Sequence, residues 1–296
     1  MTAREPAWVL WAASRPSQLL LIAGVYALGA KVALVWGASL SVPALLAGLA
    51  ALLPVAVSVH YANEYADHAT DALTDRTPFS GGSGALPAAG VDRRVVLRAA
   101  VVALALGTVL AAAFAAVGLL SLAALALLGV IAVFGWQYSV GPLRLAWRGW
   151  GELDNAALGG LVLPVYGAAV VGGPLGTVAL ASVPFFLVVL LNLFATQWPD
   201  RRADAAVGKR TLAVQWSRRR LRAAYAGIAL AAAASVLLLQ PGVLPRPVAA
   251  ASVAAAPFVV VGAAGYTRRR VPWPTVSAMV VLALAQFAAW CWVGTA

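Results

Sequence analysis

The scarce carboxylates of this chain are spaced as a metal site would space them. Asn63, Asp67, Asp71 and Asp75 recur at four-residue intervals in "NEYADHATDALTD", and Asp200 and Asp204 repeat the interval in "PDRRAD". In a helix a four-residue step turns about 40°, so each set is expected on one face. Like charges at that spacing repel mildly, and a cation relieves them. The chain has one cysteine, Cys291, and two histidines, too few soft ligands for a zinc or cysteine-metal cluster. Carboxylate oxygens suit Mg2+, which keeps several waters and completes its shell with substrate phosphates. Lys209 and Arg210 follow the second pair at once, ready to contact phosphate oxygens. The residues thus point to a diphosphate held between two Mg2+–carboxylate clusters. The competing reading is a set of loop charges that serve only solubility and topology.

The elements that must position these groups are membrane spans. The sequence is 62% hydrophobic and 10% charged, with mean hydropathy +0.88, far too apolar for a soluble domain. Apolar runs predict an all-α polytopic domain over 1–296 with nine spans, at about 17–36, 41–64, 95–117, 119–137, 153–172, 176–197, 221–240, 247–265 and 274–294. The first reads as a retained span, because no small-residue cleavage site follows it. A net charge of +11 would suggest nucleic acid for a soluble chain. Here the arginines fall between spans, which excludes that partner in favour of a topology role. From Arg4 and Arg15 to Arg270, every cation but Lys31 and Arg246 falls on one side of the nine-span topology. The positive-inside rule makes that side cytoplasmic, with the N-terminus in and the C-terminus out.

The charge rule says little about acids, yet all ten carboxylates, from Glu5 to Asp204, share that face. The opposite connections, near 37–40, 118, 173–175 and 241–246, are short and nearly bare. The chemistry therefore belongs to the loop-bearing face. "TPFSGGSGALP", 77–87, reads as a mobile lid or turn, with an anion nest as the alternative. His60, inside the second span, is a candidate intramembrane ionisable group, whereas His68 points away from the Asp67–Asp71 stripe. Trp136, Trp147, Trp150 and Trp273 read as interfacial belt residues, and the arginine runs at 218–220 and 268–270 as topology anchors. An internal echo links "NEYADHATD" to "NLFATQWPDRRAD", which begins at Asn192. Such echoes also occur in secondary transporters, but those carry their acids deep in the spans.

"NEYADHATDALTDRT" resembles the first aspartate-rich motif of the UbiA superfamily of intramembrane prenyltransferases, N-D-x-x-D-x-x-x-D followed by R-T. "PDRRADAAVGKRTLAV" resembles its second, "YSVGPLRLAWRGWGEL" the segment after the fourth helix, and "SRPSQLL" the opening of the first. The likeness runs from about residue 14 to 216, with the two motifs at 63–77 and 200–214. It implies a nine-helix bundle around a central cavity that opens to lipid and is capped by cytoplasmic loops. Asn63, Asp67 and Asp71 would hold one Mg2+ and Asp200 and Asp204 the other. Arg76, Lys209 and Arg210 would bind diphosphate, with Tyr138, Ser139 and Asn192 bordering the substrate. Arg15 and Arg144 would face diphosphate or acceptor. The chain departs from the family at Glu64, where Asp is usual, and Asp75 lies outside its usual positions, as a surface charge or cap. The implied activity is Mg2+-dependent transfer of a polyprenyl group from its diphosphate to an aromatic acceptor in quinone biosynthesis. The "RTPFSGGS" variant is nearest to the branch that uses 1,4-dihydroxy-2-naphthoate, on the path to menaquinone. Other acceptors (a glycerol lipid, a carotenoid, a tetrapyrrole), intramolecular cyclisation and, from another class, secondary transport are the alternatives. The expected setting is a prokaryotic-type cell membrane, with the active site at its cytoplasmic side.

Overall fold

A computed structural model describes residues 6–295; Arg4 and Glu5, counted in the charge partition above, lie outside the described residues. Among those described there is no β-strand, only an isolated bridge between Thr77 and Ser80. Nine helical stretches among the described residues are long and apolar enough to cross a membrane, as the hydropathy pattern predicts.

The first stretch is two helices, α1 (Pro6–Ala13) and α2 (Pro16–Val35). It starts well before the predicted residue 17. Arg15 and Pro16 look like a helix start, and they are one, but they follow a shorter apolar helix and do not open the span. Arg15 takes a left-handed conformation, φ 53°, which breaks the helical ladder there, and Pro16 fits the first turn of α2. α3 (Val42–Ala66) follows, then α4 (His68–Leu73) and α5 (Ala85–Ala89) in the connection to α6 (Arg94–Ala116). After α7 (Leu122–Ser139) the fifth span is α8 (Gly151–Ala157), a π-helical turn at Leu158–Val162, and α9 (Leu163–Val170). α10 (Leu175–Gln197) leads into α11 (Arg201–Ala206) and α12 (Leu212–Gln215), before α13 (Arg218–Leu238). The eighth span is α14 (Arg246–Ser252) and α15 (Ala256–Gly265), joined by one 3-10 turn, and the ninth is α16 (Trp273–Val293). The arginine run at 218–220 lies inside the first turn of α13, where the Ser217 hydroxyl caps the Arg220 N–H.

Small residues let the inner helices touch through their backbones, the usual way apolar helices pack where lipid offers no hydrophobic drive. A Cβ on Gly29 of α2 would lie 1.9 Å from the Pro164 carbonyl oxygen, and one on Gly167 of α9 would lie 2.2 Å from that of Tyr26. Two phenols then tie this pair to α3: Tyr26 donates to the Leu45 carbonyl (2.9 Å) and Tyr166 to that of Gly48 (2.8 Å). Outward, α6 and α13 expose Val101, Val102, Leu106, Val109, Leu230, Leu237 and Leu238, a surface suited to acyl chains. The short helices α4, α5, α11 and α12 sit in connections that follow even-numbered spans, so they gather at one end of the bundle. That end carries the Asp motifs.

Candidate active site

Asn63 and Asp67 share one face of α3, as the spacing predicts. The helix ends at Asp67, but i+4 bonding continues across the junction: Asp67 N–H to the Asn63 carbonyl (2.9 Å) and Asp71 N–H to that of Asp67 (2.8 Å). Asp71 therefore stays on the stripe. Asp75 does not, because α4 stops at Leu73 and Thr74 is extended. The expected four-member face is a three-member one. Asp75 is an exposed surface charge, ion-paired with Arg270 at 2.6 Å.

The second motif folds back on the first. Asp200 heads α11, Asp204 is buried within it, and a left-handed turn at Gly208 (φ 79°) brings Lys209 round. Its ammonium lies 2.9 Å from Asp67 Oδ1 and 3.7 Å from Asp204 Oδ1, while Thr211 Oγ1 donates to Asp204 Oδ2 at 3.4 Å. One lysine thus joins motifs 142 residues apart. Burial alone would lower its pKa, but the charges of Asp67 and Asp204 outweigh burial and hold it above the usual range.

Around this pair the carboxylates are in surplus. Glu64, Asp67, Asp71, Asp200 and Asp204 face the ion-paired cations Arg15 and Lys209. Burial, then the charges of Asp67 and Glu64, push Asp71 up to about 7. Burial, then Asp204, pushes Asp200 up to about 6, and burial pushes Asp204 to about 6 as well. Asp200 Oδ1 is buried with no hydrogen-bond partner. A cluster of acids that resists full ionisation, with an orphaned oxygen, suits a hard divalent cation. Among the described residues no three His, Cys, Asp or Glu side chains already converge as a metal cage; the Lys209 ammonium occupies the space between Asp67 and Asp204.

The Gly-rich loop lies over these carboxylates as a lid. The Gly81 N–H donates to Asp200 Oδ2 (3.2 Å) and the Ser83 N–H to Glu64 Oε2 (3.2 Å); the Ser83 hydroxyl donates to Glu64 Oε1. A Cβ on Gly82 would fall 1.9 Å from Asp71 Oδ2, and Gly82 has φ 63°, so glycine serves both approach and conformation there. Arg76, expected at the diphosphate, donates to the Gly81 (3.1 Å) and Gly82 (3.0 Å) carbonyls of this loop. Glu64 gains a role that its departure from the family pattern had left open. It is 1% exposed, ion-paired to Arg15 at 3.3 Å, and anchors Ser83. His60 likewise has a structural task, its Nδ1 lying 2.8 Å from the Ser14 carbonyl that the break at Arg15 leaves free.

Of the remaining predicted residues, Ser139 donates to Asn63 Oδ1 at 2.6 Å and so orients that amide. Tyr138 lies within electrostatic reach of Lys209 and Asp67. Asn192 is buried with its Oδ1 unpartnered. Arg144 and Arg210 are exposed and, among the described residues, make no ion pair with the Asp motifs. Arg144 leans over Trp147 at 5.9 Å, and the Arg210 N–H donates to the Trp147 carbonyl at 3.1 Å, fastening the 145–147 turn to the second motif. Sequence reasoning assigned no role to Glu152, 1% exposed, whose Oε1 accepts the Leu212 N–H at 2.8 Å. Its place in the family-like segment "YSVGPLRLAWRGWGEL" is the one sequence signal that marks it.

Among the described residues, two acid motifs clasped by one lysine thus lie at one end of a bundle of apolar helices. The profile of the UbiA prenyltransferase family matches residues 21–272, and the chain belongs to that family. Solved structures share the fold. A UbiA homolog from Archaeoglobus fulgidus bound to GPP and Mg2+ is 16% identical, over 97% of this chain and 100% of that one, with TM-score 0.72. The apo structure of a UbiA homolog from Aeropyrum pernix K1 is 19% identical, over 91% and 96%, with TM-score 0.70. A digeranylgeranylglyceryl phosphate synthase is 12% identical, over 97% and 99%, with TM-score 0.68. No curated protein matches the chain in sequence.

Proposed function

We propose that this prenyltransferase moves a polyprenyl group from an allylic diphosphate to an aromatic acceptor in quinone biosynthesis, 1,4-dihydroxy-2-naphthoate being the first candidate. The observation that carries the transfer reading is Lys209, buried between Asp67 and Asp204 amid a surplus of carboxylates. In this reading Asn63, Asp67 and Asp71 on one side and Asp200 and Asp204 on the other hold Mg2+, the ion bound together with GPP in the A. fulgidus homolog. When bound, Mg2+ supplies the charge that neutralises the departing diphosphate.

The chain's own residues do the rest. Lys209 turns from the acids toward the phosphate oxygens and stabilises the charge that develops as the allylic C–O bond opens. Ser139 keeps the Asn63 amide oriented. The Gly81–Ser83 lid exchanges its bonds to Asp200 and Glu64 for the incoming head group, then closes over it, and Arg76 carries the lid as one piece. The apolar helix walls keep water from the allylic cation. Arginines grouped on the same face as the Asp motifs support a cytoplasmic site in a prokaryotic-type membrane. A second reading, a glycerol-lipid acceptor, draws support from the fold shared with the digeranylgeranylglyceryl phosphate synthase.

The test uses purified protein in detergent, Mg2+, a labelled polyprenyl diphosphate and both acceptor classes. Prenylation of a hydroxynaphthoate is the expected result; turnover of the glycerol lipid alone moves the assignment to the second reading. Absence of diphosphate release with any acceptor overturns both.

A further inference from the structure

Four buried polar atoms on α8, α10, α13 and just after α15 have no partner: Glu152 Oε2, Asn192 Oδ1, Tyr225 Oη and Tyr266 Oη. Roughly nine in ten buried polar groups in folded proteins are hydrogen-bonded, so such orphans in one region ask for a ligand. The region is contiguous. α8, which carries Glu152, packs on α10, which carries Asn192. Leu212, whose N–H holds Glu152 Oε1, packs into the cluster of Leu191, Trp198, Tyr225 and Tyr266. The Tyr225 and Tyr266 rings lie 5.0 Å apart. Glu152 and Tyr266 are 1% and 4% exposed. Burial, then the charge of Glu152, raises the Tyr266 phenol above its usual pKa, which sets the two groups in one another's field. Glu152 is therefore held at Oε1, and its buried Oε2 has no hydrogen-bond partner. Tyr138 feels its charge together with those of Lys209 and Asp67, and Glu152 feels those of Asp204 and Lys209, so this acid shares the electrostatic field of the Asp motifs.

We propose that this region is the acceptor subsite, in which Glu152 Oε2 receives a hydroxyl of the acceptor and takes its proton while the Tyr266 hydroxyl hydrogen-bonds the same acceptor. The inference rests on the prenyl-transfer reading above and adds a substrate class to it: the acceptor carries an O–H, as a phenolic aromatic or a glycerol-type lipid does and an alkene does not. The step balances without a redox partner. The O–H proton passes to Oε2, and the freed electron pair forms the new bond to the allylic carbon. The allylic C–O bond breaks, with its pair leaving on the diphosphate. For a phenol alkylated at a ring carbon, the ring proton lost on rearomatisation replaces the one taken.

Glu152→Gln keeps an oxygen for the Leu212 N–H and removes only the proton acceptor. It is assayed beside the wild type with Mg2+ and geranyl diphosphate, in one arm with a hydroxynaphthoate and in the other with a glycerol lipid. Diphosphate binding is read separately, as Mg2+-dependent protection against thermal denaturation. The expected result is a fall in transfer of roughly 10²-fold or more, in the arm that the wild type uses, with diphosphate protection kept. Transfer within tenfold of wild type, or loss of diphosphate protection in parallel, overturns the proposal. Should Glu152→Gln fail to fold, Tyr266→Phe removes an oxygen with no protein partner. It is expected to raise KM for the acceptor with KM for the diphosphate unchanged, and an unchanged acceptor KM overturns the subsite. Failure of the underlying reading looks different: the wild type itself shows neither diphosphate protection nor transfer.

Discussion

At the scale of single residues, Lys209 joins the two Asp motifs. Removing its charge leaves Asp67 and Asp204 facing each other with nothing between them, and removes a cation from the leaving group. Lys209→Gln is expected to lower transfer by roughly 10²–10³-fold in a steady-state assay; a fall below tenfold speaks against the role. The acids add a pH dependence. Asp71 is raised to about 7 and Asp200 and Asp204 to about 6, so at low pH each binds a proton that a cation must displace. Sign follows from that competition: Mg2+ affinity rises with pH from below 6 and levels off above 7, with proton release on binding, measurable by calorimetry in two buffers. A pH-independent affinity contradicts it. The shared face of Asn63, Asp67 and Asp71 was legible in the sequence because i+4 bonding continues across the α3–α4 junction. The contacts of Arg76 with Gly81 and Gly82 were not, since they depend on the path of a glycine loop that periodicity does not describe. Glu64 read as a departure, and only its contacts with Arg15 and Ser83 explain the longer side chain.

At the scale of elements, the lid couples the two motifs through Gly81 and Asp200, 119 residues apart in sequence. Gly82→Ala puts a methyl group where Asp71 Oδ2 lies and strains a residue at φ 63°. The variant is expected to keep its helix content by circular dichroism and to lose Mg2+-dependent diphosphate protection; protection equal to wild type contradicts the lid geometry. Span number and order were legible because twenty-residue apolar runs have few other uses. The start of the first span was not. Arg15 and Pro16 are sound helix-opening signals, but they say nothing of a short helix that ends just before them. The π-helical turn at Leu158–Val162 was also invisible, as its composition is that of an ordinary apolar helix.

At the scale of the whole molecule, one end of the bundle holds the acids and most of the cations, and the other holds short connections. A single cysteine placed at Ser80 in a Cys291→Ser background is expected to react with an impermeant thiol reagent in inverted vesicles and not in right-side-out ones. The opposite pattern reverses the orientation derived from the arginines. The central claim is that two distant Asp motifs form one diphosphate-ionising site. Its most direct measurement is Mg2+-dependent diphosphate release from an allylic diphosphate by wild type, Asp67→Ala and Asp200→Ala. The wild type is expected to release diphosphate, and each variant alone to lose roughly 10²-fold or more of that activity. Full activity in either variant would contradict it.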